Sequence, residues 1–171
     1  MTYSINNQTN NEEFFMRKAL KEAEKAFDKG EVPVGCVIVK DNKIVARAHN
    51  QRETTQSALS HAEVIAIRKA CKKLKTWRLE NCDIYVTLEP CIMCSGAIIN
   101  ARIKRLIYGT LEPKFGAHQS LTNVFELEVN HKVEVIPQVL AQESNQLLKT
   151  FFKNLRSEKN WIIRIIWYNI W

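Results

Sequence analysis

"DIYVTLEPCIMCSGAIINARIKRLIYG", Asp83 to Gly109, is the stretch that decides the fold. It opens on a short apolar run, Asp83 to Leu88, which predicts a buried strand. The next segment, Pro90 to Arg102, predicts a helix with Pro90 at its first position, where a missing N–H does no harm. Arg105 to Gly109 predicts another strand.

The same alternation extends in both directions. Upstream, residues 12–30 predict a helix: Met16, Leu20, Ala23 and Phe27 share one face, and Gly30 suits its C-terminal cap. "PVGCVIVK" and "IVARAHN", joined by the tight turn "DNK", predict an antiparallel pair of strands. A polar loop, residues 51–59, leads to a helix from Ser60 to about Lys73. Downstream lie the loop "LEPKFGAHQS", a strand "KVEVIP" and a long helix from Val139 to Lys159. Strands alternating with helices imply an α/β layer fold with helices on both faces of one sheet. The expected division is a polar extension over residues 1–11, a folded domain over 12–159 and an apolar tail over 160–171.

Composition limits what such a domain does. At 171 residues it suits a single domain. A chain of that size buries roughly 70% of its unfolded surface and needs no staples. Formal net charge is +7, which favours an anionic partner, nucleic acid above all, or simply a solvated surface. No signal peptide and no run of membrane-spanning length is visible, so a cytoplasmic, reducing location is expected. There, five cysteines point to metal binding or burial rather than disulfides. The tail "WIIRIIWYNIW" carries one charge, Arg164, is too short to span a bilayer and is expected to pack on the body or on a second subunit.

The chemistry concentrates in two segments. Cys91 and Cys94, three apart in the first turn of a helix, share one face. The positive end of the helix dipole favours their thiolates. His61, at another helix start, offers a nitrogen. Two sulfurs and one nitrogen leave a fourth coordination place open, which is the pattern of a catalytic zinc rather than a structural one. Cys36, Cys71 and Cys82 read as buried residues. Glu63, two places past His61, faces the same site only at a helix mouth. Ser60 as N-cap would put it there, although Ser60 and Glu63 also fit a capping box that merely ties down a backbone N–H.

"HAE" with "PCIMC" resembles an established pattern, the H-x-E…P-C-x-x-C signature of the zinc-dependent nucleoside deaminase superfamily. "GEVPVGCVIV", "AHNQ", "HAEVIAIRKA", "YVTLEPCIMCSGAI" and "RIKRLIYG" together resemble the bacterial tRNA-specific adenosine deaminases, over about residues 12–159. The resemblance implies a three-layer α/β/α cytidine-deaminase-like fold with a mixed five-stranded sheet. It implies one Zn²⁺ per subunit on His61, Cys91 and Cys94, with Glu63 as proton carrier. Asn50, aided by the backbone around Ala62, would contact a flipped base; the alternative reading of Asn50 is a turn residue at the end of a strand. A homodimer acting on the tRNA anticodon stem-loop is implied, converting the first anticodon adenosine to inosine. Lys114, Lys153 and Arg156 are candidates for phosphates and Phe152 for stacking. The chain departs from the family at Glu112, where an Asp-containing loop is usual, and at Gln119-Ser120, where Gly-Ser is usual. A free-base or nucleotide deaminase of guanine or cytosine type shares the zinc motif and stays open, as does a zinc-stabilised RNA-binding module.

Overall fold

The computed structural model describes residues 2–157, and only the backbone of residues 2–9; the expected tail over 160–171 lies outside the described residues. Five strands form one sheet: β1 (Gly35–Lys40), β2 (Lys43–His49), β3 (Cys82–Leu88), β4 (Arg105–Thr110) and β5 (Glu134–Ile136). Their order is β2-β1-β3-β4-β5. Strand β1 runs antiparallel to both neighbours, whereas β3, β4 and β5 are parallel. The mixed five-stranded expectation is met.

Helices cover both faces, so the central strands read as unbroken apolar runs. Cys36, Ile38, Ile84, Val86, Leu106 and Tyr108 point to one side, where α3 (Ala62–Leu74) and α4 (Ile92–Asn100) complete the larger core. Val37, Val39, Tyr85 and Ile107 point to the other, against Phe15, Met16 and Ala19 of α1 (Thr2–Asp28). Helix α5 (Ala141–Ser157) packs beside α1 on that second side. Gly35 permits the closest approach: a Cβ there would collide with the α1 backbone at Ala19 and Ala23. The β1–β2 turn places Asp41 at φ 49° and Asn42 at φ 56°, the mirror-type turn that suits the strands' twist.

Local signals misplaced three boundaries. Helix α1 begins at Thr2, with no break at residue 12. The N-cap of α3 is His61, not the expected Ser60; Ser60 Oγ instead accepts from Thr55 Oγ1 at 2.7 Å, so the alternative capping box does not form either. The N-cap of α4 is Cys91, and Pro90 lies one residue outside the helix. The cause is tertiary: Cys91 bridges Gly116, and the Pro90 carbonyl accepts from the Ala117 N–H at 2.9 Å, which holds this segment extended. The loop after β2 also contains a single helical turn, α2 (Arg52–Thr55), that its polar sequence did not announce.

Candidate active site

Helices α3 and α4 begin at the same place. His61 and Cys91 are their N-caps, both in extended backbone, so their side chains project beyond the helix ends and meet. His61 Nδ1 lies 3.8 Å from Cys91 Sγ and 3.4 Å from Cys94 Sγ. One donor atom from each of the three lies within 4.8 Å of the others. Around a tetrahedral zinc, with Zn–S about 2.3 Å and Zn–N about 2.0 Å, sulfur and nitrogen ligands stand roughly 3.6 Å apart. The observed spacing fits that geometry, and no fourth protein donor joins the cluster among the described residues.

The charges point the same way. The hydrogen bond with Cys94 pulls the Cys91 thiol down to about 4, against the cost of burial, with His61 assisting. The same bond, then burial, pushes Cys94 up. Two adjacent sulfurs share a single proton in this way, and both ionise when a cation sits between them. Burial presses His61 down, but the Cys91 thiolate and Glu63 outweigh it and raise His61 overall.

Glu63 sits in the first turn of α3, 4% exposed, and its carboxylate reaches the Cys94 sulfur. Burial raises it above the ordinary carboxylate range, opposed by the charge of His61. The carboxyl therefore faces the sulfur–nitrogen cluster and takes up a proton more readily than a solvated glutamate.

A cavity of about 640 Å³ opens from this cluster. Asn50, Ala62, Glu63, His61 and Cys91 form its floor, and Lys114, Phe152 and Arg156 line its outer part. Lys153 is exposed on α5 and does not line it. Phe152 stacks edge-on against Phe151 with ring centroids 5.4 Å apart.

Two buried carboxylates that the motif reading passed over organise the walls. Glu31, fully buried, accepts from the Thr54 N–H at 2.7 Å, the Glu53 N–H at 3.2 Å and Asn50 Nδ2 at 3.2 Å. These bonds cap α2 from a distance. Glu89, 2% exposed, accepts from the N–H groups of Glu112, His118, Gln119 and Ser120 at 2.7–3.1 Å, and from Ser120 Oγ. Burial alone would raise Glu89, but these donors outweigh it and lower the carboxyl. Gly116 is required beneath it, since a Cβ there would strike the Glu89 carboxyl. One signal was available in the sequence: both glutamates interrupt apolar segments, in "GEVPVG" and "TLEPC", where an unpaired charge would be costly.

The chain is similar to known deaminases. A family model described as MafB19-like deaminase matches residues 10–156. The chain is 48% identical over 149 residues to a tRNA-specific adenosine deaminase of Bacillus subtilis, covering 86% of this chain and 92% of that protein. A solved structure from work on A-to-I editing by tRNA:A34 deaminases at the wobble position superimposes with TM-score 0.77. It is 42% identical, over 79% of this chain and 99% of the other. A guanine deaminase from Bacillus subtilis also reaches 42% identity, over only 58% of this chain and 64% of its own, with TM-score 0.56.

Proposed function

Because the chain belongs to the MafB19-like deaminases by its family match, and to the tRNA-specific adenosine deaminases by its likeness to them over most of its length, we propose that it converts the wobble adenosine of a tRNA anticodon to inosine by hydrolysis. The observation that carries this reading is the buried Glu63 carboxyl facing the His61–Cys91–Cys94 cluster at the floor of a cavity large enough for a nucleoside.

His61 Nδ1 and the sulfurs of Cys91 and Cys94 would hold one Zn²⁺ per subunit. When bound, zinc supplies a Lewis acid that makes water a nucleophile near neutral pH. Two thiolate ligands would offset the metal's charge, so the attacking water would still need a base, and Glu63 is placed to accept its proton. Oxygen bonds to C6 of the adenine while Glu63 delivers that proton to ring N1. The second proton, taken by the same carboxyl from the hydroxyl now on C6, goes to N6. The C6–N6 bond breaks, ammonia leaves, and water's oxygen remains on C6.

The adenosine must leave its stack to reach the cavity floor, and a single-stranded loop makes that inexpensive. Asn50 and the backbone at Ala62 hold the base. Lys114 and Arg156 at the rim meet phosphates, as Lys153 does farther along α5, and Phe152 offers a ring for stacking. A homodimer in the cytoplasm, where the tRNA pool lies, completes the reading, and exposed Ile92 and Leu121 are apolar groups available to a second subunit. Among the described residues no helix is long and apolar enough to cross a membrane.

The test is ammonia release from an anticodon stem-loop, free guanine and cytidine, assayed in parallel with Glu63→Gln. The stem-loop alone should react, and the variant should keep its zinc while losing about a hundredfold or more in rate. Guanine or cytidine turnover would replace this substrate assignment, and an active Glu63→Gln would remove the proton-carrier role.

A further inference from the structure

Asn50 can face its base in two ways, and the buried carboxylate of Glu31 decides between them. An asparagine amide presents an oxygen that accepts and a nitrogen that donates, and flipping the group exchanges them without changing its shape. The Glu31 carboxyl oxygens accept from three N–H groups. They therefore bind Asn50 through Nδ2, at 3.2 Å, and exclude the flipped orientation. Asn50 Oδ1 makes no hydrogen bond among the described residues, while Asn50 itself lines the cavity. The Asn50 backbone is fixed separately, its N–H donating to the Val34 carbonyl at 2.9 Å.

We infer that Glu31 is a positioning residue that sets the polarity of the Asn50 amide, so that the enzyme meets its base with an oxygen acceptor and the second Nδ2 hydrogen. This rests on the deaminase reading above. An acceptor beside a donor matches the N6–H and N7 edge of adenine. The remaining two bonds from Glu31, to the amides of Glu53 and Thr54, hold the turn that follows Asn50, so one carboxylate fixes both the amide and its support.

Glu31→Gln preserves the shape but leaves one oxygen for three N–H donors; if that oxygen keeps the 2.7 Å bond from Thr54, the new NH₂ faces Asn50 Nδ2 and the Glu53 N–H. On the anticodon stem-loop, kcat should fall about tenfold to a hundredfold. KM should change little, because phosphate contacts dominate RNA affinity. Zinc content should be unchanged. The deciding measurement repeats the substitution in an Asn50→Ala background, where Glu31→Gln should cost less than about threefold. An equal loss in both backgrounds would mean that Glu31 only supports the turn, and the inference would fall.

Asn50→Asp covers the case in which Glu31→Gln does not fold. Its oxygens cannot donate to Glu31, so it should be as impaired as Asn50→Ala, and normal turnover would overturn the inference. A readout without turnover keeps this result distinct from the substrate assignment. In ¹⁵N-labelled protein one Asn50 Nδ2 hydrogen should exchange slowly with solvent. Fast exchange of both hydrogens overturns the inference whatever the substrate proves to be, and wild-type inertness toward the stem-loop counts against the function alone.

Discussion

Replacing Glu89 by glutamine should loosen the cavity wall formed by residues 112–120, and by an amount the contacts predict. Glu89 Oε1 accepts three N–H bonds, from His118, Gln119 and Ser120, while Oε2 serves the Glu112 N–H and Ser120 Oγ. Glutamine can keep the first set but puts an NH₂ where Oε2 stood. The Ser120 hydroxyl can turn and accept, whereas the Glu112 N–H cannot. One stranded donor costs about 1–3 kcal/mol, and the three surviving bonds lose the strength that charge gave them. The total is about 3 kcal/mol, a large part of the roughly 5–15 kcal/mol that holds a domain together. The midpoint of thermal unfolding should drop by roughly 6–12 °C.

Acidity supplies the control for this substitution. Because Glu89 is lowered in the folded state, its stabilisation is complete above the ordinary glutamate pKa of about 4.3 and disappears as pH falls through the folded value. The gap between wild type and Glu89→Gln, measured by urea unfolding, should be full at pH 7 and shrink below about pH 4. A gap under about 0.5 kcal/mol at neutral pH, or one that does not change with acidity, would refute the role given to this carboxylate.

Two further outcomes probe the metal and the RNA. Cys94→Ser should reduce zinc from about one equivalent to less than a tenth, by elemental analysis of purified protein, since the hydroxyl does not ionise as the thiol does; undiminished zinc would move the site elsewhere. Arg156→Ala should lower the slope of log affinity against log salt by about 0.7–0.9 for the anticodon stem-loop, one phosphate contact's worth, with zinc retained; an unchanged slope would take Arg156 out of the RNA interface.

The sequence by itself determined the layers, the strands and the donor set. Apolar runs such as Cys36 to Val39 and Ile84 to Val86 are buried on both faces, and that state is written in composition because every residue of the run must be apolar. Likewise, His61, Cys91, Cys94 and Glu63 are legible as residue types at characteristic spacings near helix starts. Where those helices start was decided by tertiary contacts. Pro90 and Ser60 are ordinary helix-start residues, yet the bridge from Cys91 to Gly116 and the bond from Thr55 to Ser60 moved both starts inward. The turn α2 and the wall over residues 112–120 depend on carboxylates far away in the chain, 23 residues for Glu31 to Thr54 and 31 for Glu89 to Ser120. A buried acceptor satisfied across such distances leaves no local periodicity, and the pairing appears only once the sheet has brought the segments together.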